Sequence, residues 1–320
     1  VGYNYFTRLL RYDPEYRELG QAHWVAKSPY TPPGRMLGPD DRLFVSTCKG
    51  SASGRFVDGN TLDADFPLTI QTTGASGLDT MIEDDGSVTA LYQYSWLRMK
   101  HFGPDRRLKT SILIDRPPYA AFTRSGMTAL AMNESRTTLV AWEWHQHTVI
   151  DDELRRFPSI PAFRAIRPDG TMTDTIRLQP ASSSSDRYDR PAAGIRPDGS
   201  GAVAWTVRTG VASTVWLQRL DANQDAYEAP RLVDARPAFY SDQPSIKSDA
   251  DGNLFLAWRC TAIDGGGGQI GILEISQLDE APAPPRVTCV AESVRIDWVN
   301  RPASRNSLWH SSDLDPDHAQ

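Results

Sequence analysis

Short apolar runs separated by turn residues recur along this chain. One of them, DGNLFLAW at residues 251–258, returns in altered form as DGSGAVAW, SRTTLVAW and DGSVTALY. Each run is apolar or alternating over the length of a strand, too short for a helix. Aligned on these runs, Thr47, Tyr92, Trp142, Trp205, Trp258 and Trp298 fall at one equivalent position, with spacings of 45, 50, 63, 53 and 40 residues. A loose period of about 50 residues means one supersecondary unit per repeat.

Within a unit the pattern predicts antiparallel strands. Asp85-Gly86, Asp198-Gly199 and Asp251-Gly252 sit between paired apolar runs, a hairpin signal because glycine adopts positive φ without a steric penalty. A third run follows in TVWLQRLDA (214–222) and QIGILEISQL (269–278), and a fourth in PRLVDA or KTSILID. Four antiparallel strands repeated about six times predict an all-β chain folded as a single β-propeller, in which each sheet packs on the next. The repeated aromatic is then expected in the packing between blades.

The ends refine this expectation. TRLLRYDPEYREL (7–19) resembles the third-strand segment at 217–230 without a preceding hairpin, whereas RVTCVAESVRIDWV has its hairpin and little after it. The N-terminal strands are therefore expected to complete the C-terminal blade and close a six-bladed ring, with seven blades as the alternative. The propeller spans 1–310, with units near 35–75, 78–115, 126–180, 190–235, 243–280, and 285–310 plus 1–26. A polar tail, 311–320, follows.

This six-unit, DG-turned pattern resembles the secreted bacterial propellers of the sialidase-like superfamily over nearly the whole chain. The Asp-box of that group, Ser-x-Asp-x-Gly-x-Thr-Trp, does not occur. The enzymatic branch of the resemblance implies an Arg cluster that clamps a substrate carboxylate and an activated Tyr nucleophile. Arg116, Arg187, Arg236 and Tyr188 or Tyr240 are its first candidates.

Charge and composition narrow the partners. A net charge of −6 and a pI of 5.6 argue against the basic face that nucleic acid requires. Only Lys27, Lys49, Lys100, Lys109 and Lys247 accompany the arginines, which suggests a GC-rich bacterial source. No apolar run reaches the roughly 18–20 residues of a membrane-spanning helix. The opening VGYNYF lacks Met, as expected after removal of a signal peptide or a longer N-terminal region. Secretion is thereby permitted, and a secreted, periplasmic or cell-surface location is the expectation. Of the three cysteines, Cys260 and Cys289 form the preferred bridge in an oxidising compartment, contributing about 3–4 kcal/mol by loop closure; three buried thiols are the alternative.

Candidate chemistry lies in the loops between blades, at 27–40, 115–126, 180–191 and 235–244. Each carries Tyr with Arg: Tyr30 with Arg35, Tyr119 with Arg116 and Arg124, Tyr188 with Arg187 and Arg190, Tyr240 with Arg236. Converging at one mouth, they would make a guanidinium and aromatic surface suited to sugars, carboxylates or a partner protein. WEWHQHTVIDDE (142–153) opens the longest insertion and adds Trp144. Its His145 and His147 form only a weak metal pair, because a third ligand must be assumed. DADGN (249–253) is expected as a hairpin turn. No cofactor is implied.

The expected function is a non-catalytic extracellular or envelope-associated propeller that recognises a protein, or a glycan, through one loop face. A sialidase-like glycoside hydrolase or lyase is the first alternative. A structural subunit of an extracellular filament or envelope complex is the second.

Overall fold

The computed structural model describes side chains within residues 42–116, 127–143, 160–178, 191–208, 212–234 and 240–275, residues 264–267 and single positions aside, and backbone alone for the strands outside those ranges. The strands, in chain order, are β1 (Thr7–Tyr12), β2 (Glu18–Trp24), β3 (Gly34–Leu37), β4 (Arg42–Cys48), β5 (Gly50–Asp58), β6 (Leu68–Ile82), β7 (Val88–Tyr94), β8 (Trp96–Phe102) and β9 (Leu108–Asp115). They continue as β10 (Thr128–Met132), β11 (Thr138–Trp144), β12 (His147–Ile150), β13 (Glu153–Arg156), β14 (Ile160–Ile166), β15 (Ile176–Arg177), β16 (Arg187–Ile195), β17 (Gly201–Thr209) and β18 (Ala212–Leu220). The last are β19 (Arg231–Asp234), β20 (Phe239–Ser248), β21 (Leu254–Ala262), β22 (Gly268–Glu274), β23 (Val290–Ala291) and β24 (Trp309–His310). Among the described residues there is no α-helix, so none is long and apolar enough to cross a membrane.

The chain divides into two compact units, Val1–Ile114 with Val299–Gln320, and Asp115–Trp298. In the first, β3 to β9 form one seven-stranded sheet in chain order. β6 links its two parts without a loop: the first half pairs with β5 and the second with β7. Gly74 and Gly77, at φ 69° and 53°, turn the strand between those halves. A separate sheet pairs β1 with β2 and, antiparallel, with β24 through Leu10↔His310 and Arg11↔Trp309. Phe44, Ile70, Val88 and Tyr92 belong to this unit's core.

In the second unit β10, β11, β14 and β15 form a four-stranded sheet, and β16 to β23 an eight-stranded one. The sequence predicts separate four-stranded blades, but β18 also meets β20 in parallel through Ser213↔Tyr240, which carries the pairing onward. The expected third strands at 214–222 and 269–278 are β18 and β22, and PRLVDA supplies β19. The insertion at 142–153, expected as a loop, carries its own hairpin, β12 paired with β13.

The Asp-Gly turns have a common cause. At Arg196–Ser200 the Gly199 N–H donates to Arg196 O at 3.0 Å and Arg196 N–H to Ser200 O at 2.7 Å. Gly199 stands at φ 90°, the left-handed region where a Cβ is penalised. Asp198 Oδ1 then accepts from the Ser200 N–H at 2.8 Å and its hydroxyl at 2.7 Å, pinning the turn. Thr171 repeats both bonds to Asp169, and the expected turn at Asp249–Asn253 closes with Asn253 N–H donating to Asp249 Oδ1 at 2.8 Å.

Candidate functional site

The repeated aromatics are core, as the sequence predicts: Tyr92, Trp142, Trp205 and Trp258 are all buried. Three of them also reach back to the polar residue at the corresponding point of an earlier strand. Trp258 Nε1 donates to Asp234 Oδ2 at 2.7 Å. The Tyr92 hydroxyl donates to Gln71 Oε1 at 3.4 Å, and Trp142 hydrogen-bonds Asp115, whose carboxyl is pushed above the usual range by burial despite that bond. Trp205 is the exception: among the described residues its Nε1 has no partner. Aligning RLVD (231–234) with RLQP (177–180) puts Pro180 where Asp234 stands, and Pro180 lies outside the described residues.

Asp234 gathers more than one donor. Its Oδ2 also accepts from the Ser241 hydroxyl at 2.8 Å and lies 3.6 Å from Cys260 Sγ. The Ser213 hydroxyl donates to Ser241 O at 2.6 Å, beside the Ser213↔Tyr240 bridge.

Because side chains alternate across a strand, the residue after each aromatic faces the opposite side. These residues are Gln93, Glu143, Thr206 and Arg259. Arg259 pairs across the sheet with Asp242 and grips it in a fork, Nε to Oδ1 and Nη2 to Oδ2, each 2.9 Å. Asp242 is only 1% exposed, while the Arg259 side chain is 37% exposed. A second guanidinium, Arg208, stands 3.7 Å from Asp242 Oδ2 and 5.0 Å above the centre of the Tyr240 ring. Among the described residues two guanidiniums thus face one carboxylate beside an aromatic ring, and the charge-assisted fork fixes the Arg259–Asp242 geometry. Glu143, also buried, occupies on β11 the position that Arg259 occupies on β21.

Of the residues expected at the site, Tyr240 lies under the Arg208 guanidinium. Arg116 is exposed, directly after β9. Arg35 lies on β3, Trp144 ends β11, Arg187, Tyr188 and Arg190 begin β16, and His147 opens β12 opposite Arg156; their side chains lie outside the described residues. Tyr30, Tyr119, Arg236 and His145 lie wholly outside them. Cys48 and Cys260 are buried thiols, and Cys289, the expected partner of Cys260, lies outside the described residues. Asp242, Arg259, Arg208 and Glu143 were not anticipated. For Glu143 and Arg259 the signal is the residue following a repeated Trp, and for Asp242 the acid in the SDQP bulge; Arg208 has no such signal.

No protein-family model matches the chain, and no curated protein matches it. Among solved structures it is similar to the α-L-arabinanase of Penicillium chrysogenum complexed with arabinobiose. The identity is 7%, the match covers 91% of this chain and 86% of that one, and the TM-score is 0.52. A thermostable family-43 glycoside hydrolase (10% identity, 84% and 96% covered, TM-score 0.49) and an endo-arabinase from Bacteroides thetaiotaomicron (10%, 78% and 95%, 0.42) also match. The nearly all-β chain therefore has a β-propeller architecture. The comparison also corrects the expected function: a structure that shares this fold is an arabinanase, not a non-catalytic binding or assembly protein, and a protein partner has no support.

Proposed function

We propose that this chain is a β-propeller glycoside hydrolase. The observation that carries the reading is the buried Asp242 carboxylate, forked by Arg259 beside the Arg208–Tyr240 platform, with a second buried carboxylate, Glu143, at the position corresponding to Arg259. Glycosidic hydrolysis requires two carboxyl groups, one giving a proton to the leaving oxygen and one activating water or attacking the sugar. Asp242 and Glu143 are the two carboxyl groups to which these roles are assigned. Arg208 and Tyr240 offer the flat amphipathic surface on which a sugar ring stacks. The fold shared with an arabinanase supports the same reading.

Six blades, closed by the N-terminal strands, complete the proposal, and the β1–β24 pairing supports that closure. An extracellular or envelope location fits a polymeric glycan substrate.

The test is release of new reducing ends from a panel of neutral and uronate-containing polysaccharides. Wild type is expected to cleave at least one, and Asp242→Asn and Glu143→Gln each to lose about 100-fold or more in kcat. Full activity in both variants would remove the assignment, and no cleavage of any polymer would remove the function.

A further inference from the structure

The residues that Asp234 holds have a specific relation to the proposed site. Its Oδ2 receives the Ser241 hydroxyl and the Trp258 indole N–H. Ser241 immediately precedes Asp242, and Trp258 immediately precedes Arg259. One carboxyl oxygen thus ties together the two strand positions whose next residues form the fork on the opposite face of the sheet. The tie falls at a weak point of the ladder. β20 carries a register shift between Asp242 and Ser245, and Gln243 stands at φ 54°, so the pairing with β21 is interrupted directly after Asp242 and resumes at Ser245↔Ala257. Ser241 is fixed from its other side by Ser213, whose hydroxyl donates to the Ser241 carbonyl. In the other aromatic pairings the acceptor's second donor lies elsewhere, Lys100 Nζ at 3.5 Å on Gln71 Oε1 and a backbone N–H at Arg116 on Asp115; at Asp234 it is Ser241, the residue before Asp242.

We infer that Asp234 is a positioning residue that sets the Asp242–Arg259 fork through Ser241 and Trp258, an inference that rests on the hydrolase reading for its catalytic consequence. It touches no reacting atom. A loss of Asp234 lets the bulged end of β20 shift against β21, and the 2.9 Å fork geometry goes with it.

The experiment follows the Arg259 Nε–H resonance by NMR in the full chain, assigned by its disappearance in Arg259→Lys. Wild type is expected to show it resolved and slowly exchanging. In Asp234→Asn, and in Ser241→Ala with Trp258→Phe, it moves to the envelope of exposed arginines, and kcat falls at least tenfold with KM changed less than twofold. An unmoved Arg259 resonance in a folded Asp234→Asn protein overturns the inference, even if its melting temperature drops. Should Asp234→Asn fail to fold, Ser241→Ala alone, which deletes one hydroxyl, decides by the same resonance. A wild type that cleaves no glycan sinks the hydrolase reading, while the resonance still reports whether Asp234 sets the fork.

Discussion

Trp258 and Trp205 occupy corresponding strand positions and are equally buried, yet Trp258 donates its indole N–H to Asp234 at 2.7 Å whereas that of Trp205 has no acceptor among the described residues. Removing one partner of a buried bond leaves the other unsatisfied, at a cost of about 1–3 kcal/mol. Trp258→Phe is therefore expected to destabilise by that much more than Trp205→Phe, since both lose similar ring volume. Urea unfolding of the two variants checks the difference. Equal losses would mean that the Asp234 bond contributes nothing net.

Gly271 pairs across the sheet with Trp258, and a Cβ there would lie 2.3 Å from the indole Cε2. The indole is fixed by its hydrogen bond and has no room to move. Gly271→Ala is expected to destabilise by about 1–3 kcal/mol through overpacking and to change Trp fluorescence. A stability equal to wild type would show that the indole shifts freely.

Removing Arg259 takes the forked partner from the buried Asp242 carboxylate, from which Arg208 stands farther away at 3.7 Å. Arg259→Met is expected to cost about 3 kcal/mol, and adding Asp242→Asn to that variant should recover part of the loss. A double-mutant cycle by thermal unfolding tests the coupling; additive losses would show that the fork is not an energetic unit.

The turn aspartates predict an acid dependence. The Ser200 hydroxyl bond to Asp198, followed by the Ser200 N–H and Arg196 charge, holds its carboxyl below the usual value despite some desolvation. A depressed folded-state value means stability that is present above the ordinary aspartate range, about pH 4, and lost as pH falls through the folded value. Asp198→Asn should accordingly flatten the fall in melting temperature below about pH 4. An unchanged acid limb would show that the turn bond survives protonation.

What the sequence made legible was local. The Asp-Gly turns and the apolar alternation of β18 and β22 depend on neighbours in the chain, and the repeated aromatics follow from that periodicity. The pairings between strands distant in the chain were not legible: Asp234 with Trp258 is separated by 24 residues, and neither residue type announces the other. Tyr240 stands in a segment the sequence assigns to a loop, 235–244, but is the second residue of β20. Asp242, Arg259 and Glu143 are not legible because they sit on strands in positions that alternation alone assigns to the sheet, where only cross-strand register brings acid and guanidinium together.

The most direct measurement is the mass of the products formed by purified wild type from a defined oligosaccharide in water enriched with oxygen-18. Hydrolysis gives two fragments whose masses sum to the substrate plus one labelled water, and both the Asp242→Asn and Glu143→Gln proteins should fail to form them. Unsaturated fragments summing to the substrate alone, or intact oligosaccharide throughout the panel, would contradict a glycoside hydrolase.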